Sequence, residues 1–337
     1  LRRQLACATA AIALLAAAPL RLGWNNGPAL PVARSEVAVA VTGGTIYVIG
    51  GYANGDVDQT LVQAFRPIVR DGVLNGEWHD VAALPRGLNH VGAVGYHGKI
   101  YTFGGFAAQN NAPVSEANVY DPGTNRWTPI APLPDPLGSV SVAVLGGEIH
   151  LVGGRAVHSV ATHLVYDPVM NPYSARAPLP VGRDHMGLTP FDGRLYAIGG
   201  RIDTSLRNTV YVDAYDPKQD HWASAAPLPA PRSGMAVATY LQRIYAIGGE
   251  QEGMATAFST IFVYDQRRNC WLSYGNLPQG RHGTGAAVVS SGDEELLYVP
   301  AGASVPGGSR QSNTLFVYRP ATISYVGRTP FAAPPTR

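Results

Sequence analysis

GRLYAIGGR, residues 193–201, is a short apolar run that ends on two adjacent glycines. A strand gains little from glycine, which has no side chain to pack and loses more backbone freedom on folding than any other residue. The chain nevertheless repeats the arrangement. TIYVIGG ends at Gly51, KIYTFGG at Gly105, EIHLVGG at Gly154, RIYAIGG at Gly249, and LLYVPAG, a decayed copy, at Gly302. The first residue of each pair stands at 50, 104, 153, 199, 248 and 301, a spacing near fifty residues. A fixed period of that length marks an array of equal units, each too small to bury its own apolar face.

The rest of the unit repeats as well. An aromatic stands seven residues before a proline at Trp24 and Pro31, Trp78 and Pro85, Trp127 and Pro134, Tyr173 and Pro180, Trp222 and Pro229, and Trp271 and Pro278. The proline leads the first glycine by nineteen residues in five units, and SSGDEE at 290–295 lengthens the sixth. A second aromatic follows the glycines: Phe65, Tyr120, Tyr166, Tyr215, Tyr264 and Tyr318. Each unit holds four strand-like runs separated by turn signals. Asp192-Gly193 and His97-Gly98 suit tight hairpins, and DPGTN, DPVMN and DPKQD suit turns built on Pro, Asn and Asp. The body of the chain carries no sustained helical period.

An apolar strand ending in GG, then Tyr, then Trp seven residues on, resembles the kelch repeat, and the resemblance covers residues 20–325. It implies an all-β, six-bladed kelch propeller of four-stranded antiparallel blades. In such a fold the glycines allow close passage of backbones near the axis, and the rings fill the wedge between outer strands. Trp24 and Tyr325 both offer an outer strand for the last blade. The spacing from Trp24 to Pro31 favours closure by the N-terminal strand, which leaves no open sheet edge.

Composition bounds the rest. The chain has 337 residues, 46% hydrophobic and 14% charged, which suffices for one large core at 19–325 with a short tail at 326–337. A net charge of +2 gives no basic field for nucleic acid. Arg2 and Arg3 precede the apolar LACATAAIALLAAAP. Residues 1–18 therefore read as a secretory signal, of the twin-arginine type, or as an N-terminal anchor. The expectation is an exported protein: periplasmic, extracellular or at the cell surface. Only Cys270 would then remain, so no intramolecular disulfide is expected.

In a four-stranded antiparallel blade the inter-blade connection and the loop after GG share one face. Arginine stands three residues after the proline at Arg34, Arg183, Arg232 and Arg281. Leu88 and Leu137 interrupt the series. Directly after the glycines stand Tyr52, Phe106, Arg155, Arg201, Glu250 and Ala303. Two positions beyond the arginine site stand Glu36, His90, Ser139 and His185, so the two histidines occupy equivalent positions in different units, and Glu36, Asp184 and Glu250 lie among the arginines. One face thus gathers the candidate ligand-binding residues Arg34, His90, Arg155, Arg183, His185, Arg201, Arg232, Glu250 and Arg281. Such arginines hold carboxylates or phosphates by forked hydrogen bonds. The competing reading ties the four inter-blade arginines to backbone carbonyls and leaves Arg155 and Arg201 for the ligand.

No catalytic or metal motif stands out. HExxH, Cys/His fingers and GxSxG are absent, and no third histidine shares the position of His90 and His185. No metal or cofactor is expected. Some kelch proteins are copper-radical oxidases, but Cys270 directly precedes the outer-strand Trp271, far from any axial site. The sequence therefore points to an exported, monomeric, non-catalytic module that binds a protein or glycan through this loop face. The alternative is an enzyme on an acidic sugar, similar to the exported six-bladed sialic acid mutarotases, with Glu250, Arg201 and Arg232 at the site. A wide, shallow face with exposed Tyr52 and Phe106 would favour binding; a carboxylate converging with arginines in a deep, narrow funnel would favour the enzyme.

Overall fold

The structure is a computed structural model that describes residues 18–292 and 294–321. Residues 1–17 and the chain from 322 onward, Tyr325 included, lie outside the described residues. Among the described residues, six four-stranded antiparallel sheets form the blades. Blade one, for example, is built from Ala38–Thr42, Thr45–Ile49, Val62–Phe65 and Trp78–Asp80, in order from the axis outward. The inner strands of successive blades, from Ala38–Thr42 through Gly92–Tyr96 and Ser141–Leu145 to Ala287–Ser291, pack side by side around the axis. The longer first repeat carries an extra hairpin, Ile68–Arg70 with Val73–Asn75.

The last blade is closed by the N-terminal strand, as the spacing of Trp24 requires. Gly23–Asn26 pairs with Leu315–Arg319 and sets Trp24 directly opposite Tyr318. The six paired aromatics make one repeated contact. Phe65 and Trp78, Tyr120 and Trp127, Tyr166 and Tyr173, Tyr215 and Trp222, Tyr264 and Trp271, and Tyr318 and Trp24 have ring centroids 5.0–5.2 Å apart. The outer ring also locks one blade to the one before. Trp127 Nε1 donates to Ala82 O at 2.7 Å, Trp222 Nε1 to Ala177 O at 2.8 Å and Trp271 Nε1 to Ala226 O at 2.9 Å. The turn residues repeat the lock. Asn125, Asn171, Asp220 and Asn269 adopt left-handed φ, accept the hydroxyl of their own blade's Tyr, and accept an N–H from the preceding blade. Each pair of rings thus offers an apolar body to the wedge and a polar tip to a defined partner.

Blade three departs from the pattern. His150 stands where the other blades place Tyr47, Tyr101, Tyr196, Tyr245 and Tyr298. Its ring is buried against that of His163, with Nδ1 and Nε2 3.0 Å apart. His163 Nδ1 faces Ala177 O at 3.0 Å, so it donates there and its Nε2 accepts the proton of His150. That bond needs an unprotonated His163 Nε2, and His150 Nε2 is buried without a hydrogen-bond partner of its own. Burial, aided by Arg176 for His150, pushes both pKa values down to about 4.

Two outcomes follow from this architecture. Deleting residues 19–26 exposes the edge of the last blade, and the melting temperature should fall by several degrees or more. An unchanged melting temperature would assign closure to another strand. The His150–His163 pair sets the acid limb of stability. The unfolded chain protonates these rings near 6.5 and the folded chain only near 4. Their contribution is therefore complete above pH 6.5 and is lost as the pH falls toward 4. A His150→Tyr, His163→Val double variant, which installs residues used by other blades, should flatten melting temperature against pH across that window.

Candidate functional site

In every blade a two-way backbone bridge joins the segment entering the inner strand to the residue after the glycine pair. The partners are Ser35 and Tyr52, Asn89 and Phe106, Gly138 and Arg155, Asp184 and Arg201, Ser233 and Glu250, and His282 and Ala303. The two loop sets therefore do share one face. The next residue of each blade, Glu36, His90, Ser139, His185, Gly234 or Gly283, is left-handed, with φ between 49° and 61°. That geometry lets the backbone bond around the axis. His90 N–H donates to Glu36 O and Ser139 N–H to His90 O, both at 3.0 Å; Gly234 N–H donates to His185 O and Gly283 N–H to Gly234 O, both at 2.9 Å. These six residues line an axial cavity of about 130 Å³. Below it the channel is walled by Val91, Val140, Met186 and Met235 together with Ser141 and Thr284.

The side chains around this cavity form one buried network. Arg201 is its hub: Nε reaches Asp184 Oδ1 at 3.2 Å, Nη1 reaches Glu250 Oε1 at 3.2 Å, and Nη2 donates to His185 Nε2 at 2.8 Å. His185 Nδ1 bonds Asp184 Oδ1. His90 Nε2 lies 2.9 Å from Glu36 Oε2, and its Nδ1 bonds Asn89 Oδ1. His282 Nδ1 sits between two carboxylates, 3.3 Å from Glu36 and 3.4 Å from Glu250, aligned with neither. Its Nε2 donates to Val305 O at 2.7 Å.

Burial and charge set the ionisation of the cluster. Burial works to raise the Glu36 carboxyl, but the His90 and His282 rings hold it well below the usual carboxylate range. Burial also opposes charge on His282, yet the neighbouring Glu36 and Glu250 carboxylates push it up to about 9. His185 goes the other way: burial, then the Arg201 charge, pushes it down to about 3, so its ring is neutral. Asp184 stays ionised because its bond from His185 and the Arg201 charge outweigh its burial.

The sequence candidates divide cleanly. Arg201, Glu250, His90 and His185 converge on the axis. Arg34, Arg183, Arg232 and Arg281 are fully buried and bond within their own blades rather than across to the next. Arg34 donates to Gly50 O and Leu61 O at 2.8 and 2.9 Å, Arg183 to Gly199 O at 3.0 Å and Asp213 Oδ2 at 2.7 Å, and Arg232 to Gly248 O at 2.9 Å. Arg281 bonds Gly280 O and Ser312 Oγ, each at 2.9 Å. Arg155 is half-buried over the Phe106 ring, with Nη2 on Asn110 O at 3.2 Å and Nε unpaired. Arg201, expected to be free for a ligand, is fully engaged; Arg155 keeps spare donors. Tyr52 and Phe106, expected to be exposed if the face binds, are buried. Glu36, Asp184 and His282 complete the cluster. His282 looks one residue out of register with the histidines, but it is in register with Asn89 and Asp184 and turns inward from the same bridge.

The chain belongs to the kelch-motif family, whose sequence profile matches residues 33–85, 88–134, 182–229 and 231–278, more than half of the chain. Among curated relatives, Kelch-like protein 35 of Mus musculus is 33% identical over 44% of this chain and 23% of its own length. Kelch-like protein terF of Aspergillus terreus is 31% identical over 40% of this chain and 30% of its own. The matched stretch thus spans under a third of either relative. Among solved structures, that of YjhT aligns with a TM-score of 0.71 at 17% identity, covering 86% of this chain and 95% of that one, which shows a shared fold.

The three arginine environments predict three different costs. Arg232→Ala should destabilise by about 1–3 kcal/mol, through buried carbonyls left unpaired. Arg201→Ala strands Asp184 and Glu250 and should cost about 3–5 kcal/mol. Arg155→Ala should cost only about 0.5–1 kcal/mol, the worth of its contact with the Phe106 ring. Urea unfolding of the three variants checks the ranking, and a silent Arg201→Ala would contradict the network.

Proposed function

We propose that this kelch propeller is a non-catalytic binding module whose loop face takes a protein partner. The observation that carries the reading is the shape of that face. The polar centre opens only as a cavity of about 130 Å³, against roughly 300–1,000 Å³ for pockets that enclose small molecules. It admits an ion or the tip of a side chain, not a sugar ring. Around it the loops after the glycine pairs expose Val57, Val157, Leu206 and Met254. Exposed apolar side chains gathered around one polar centre suit a protein interface. With Tyr52 and Phe106 buried, a glycan finds no ring from these two positions to stack on.

The sugar-acid enzyme remains the second reading because Glu250 and Arg201 do converge, with Arg155 beside them. Export rests on residues 1–18 and is part of the proposal on that sequence alone. Among the described residues no helix is long and apolar enough to cross a membrane.

One comparison separates the readings. Wild type and Arg155→Ala are incubated with sialic acid and related sugar acids, and anomer exchange is followed by NMR. No acceleration over buffer is expected. Acceleration lost in Glu250→Gln would overturn the binding reading in favour of the enzyme. A Val157→Asp, Leu206→Asp double variant should melt like wild type and lose a crosslinked partner that wild type retains. Retention of that partner would remove the rim from the interface.

A further inference from the structure

Glu36, His90 and His185 occupy one repeat position in three blades, all buried and all left-handed. For a residue with a side chain that backbone costs roughly 1–2 kcal/mol. Blades five and six avoid the cost with Gly234 and Gly283 at the same place. Three blades therefore accept strain to bring a carboxylate and two imidazoles together on the axis.

The orientation of those imidazoles is fixed from behind. The amide nitrogen of Asn89 is committed to Asp58 Oδ1, Phe106 O and Gln109 O, at 2.7, 3.0 and 3.0 Å. Its oxygen is thus turned to His90 Nδ1, which must donate. Asp184 takes the Nδ1 proton of His185 in the same way, and the bond from Arg201 shows that His185 Nε2 carries a lone pair. A side-chain oxygen that fixes Nδ1–H and leaves Nε2 free is the support found behind metal-binding histidines.

His90 Nε2 faces Glu36 Oε2 at 2.9 Å, two acceptors in contact unless a proton or a cation lies between them. One donor atom each from Glu36, His90 and His185 lies within 4.8 Å of the others. Ser139 Oγ is 3.5 Å from His185 Nε2, and the axial cavity leaves room for water. Three buried carboxylates, Glu36, Asp184 and Glu250, face Arg201 and the His90 and His282 rings.

We propose that this end of the axis binds one divalent transition-metal ion through Nε2 of His90, Nε2 of His185 and the Glu36 carboxylate, with Ser139 and water completing the shell. Two imidazoles and one carboxylate suit Zn²⁺, Fe²⁺ or Co²⁺ rather than the all-oxygen shells of Ca²⁺ and Mg²⁺. Binding takes the place of the hydrogen bonds that Arg201 Nη2 and Ser139 Oγ make to His185 Nε2 and of the direct His90–Glu36 contact, and Arg201 turns aside with Asp184 and Glu250 as its counter-charges. The site does not depend on which partner the rim takes.

The test uses the full chain without a histidine tag, stripped by a chelator. Co²⁺ is titrated and followed by its visible absorption, then displaced by Zn²⁺. The expected result is one equivalent bound, with a higher melting temperature than the stripped protein. His90→Gly and His185→Gly place the residue of blades five and six on the same backbone, and each should weaken Co²⁺ binding about 100-fold while melting cooperatively. Glu36→Gln should weaken it roughly tenfold or more, and decides the matter should a glycine variant fail to fold. The proposal is overturned if wild type takes up no stoichiometric Co²⁺ at submillimolar concentration. It is equally overturned if uptake survives the substitutions unchanged.

Discussion

One backbone hydrogen bond between neighbouring blades recurs at every joint, from the second glycine of the pair to the carbonyl three residues past the following proline. Gly51 donates to Leu88, Gly105 to Leu137, Gly154 to Arg183, Gly200 to Arg232, Gly249 to Arg281 and Gly302 to Arg34, all at 2.7–3.1 Å. The same carbonyl presses on the first glycine: a Cβ there would lie 2.5 Å from it at Gly50, 2.0 Å at Gly104 and 2.2 Å at Gly248. A side chain there would crowd the bonded carbonyl, which is one reason that strands that gain nothing from glycine end on a glycine pair. Only the decayed copy has a side chain here, at Ala301. Because the ring closes through these bonds, the bridges that carry the axial residues are set by the fold.

The inter-blade arginines belong to the same joint. Each lends its carbonyl to the preceding blade, and in Arg34, Arg183 and Arg232 the guanidinium reaches back to the first glycine of its own blade. Burial pushes Arg34, Arg232 and Arg281 down to about 10, still charged at neutral pH. Ring faces help hold that charge in the dry interior, Phe258 and Phe262 at Arg232 and Phe316 at Arg281. Leu88 and Leu137 fill the equivalent place in blades two and three. A position that alternates between arginine and leucine needs volume first, and its charge serves the chain's own carbonyls rather than a ligand.

The fold was legible because everything that builds it recurs. Glycines, Trp, Tyr and the Asx turns sit at fixed offsets, and each contacts the same partner one blade away. The site was legible only in part, because it is where the repeats differ. Equivalence placed Glu36, His90 and His185 on one ring, but a search for a third histidine does not join a carboxylate to the two imidazoles. Nor does spacing separate Arg155 from Arg201. Their neighbours do: Asp184 and Glu250 flank Arg201, while Arg155 lies over an apolar ring. Burial of Tyr52 and Phe106 was likewise out of reach of the sequence, since it depends on how the loops after the glycines fold back over the bridges.

What the face can recognise follows from its rigidity. The axial side chains are held by backbone bridges, by left-handed residues and by hydrogen bonds from behind. Such a site selects by fit, with little ordering cost on binding. The rim is different. Val57, Val157, Leu206 and Met254 project from separate loops, and loop conformation varies more freely than the scaffold beneath. A fixed polar centre and an adjustable apolar rim divide recognition between them. The centre sets which small charged group is accepted on the axis, and the rim sets how much partner surface can close over it.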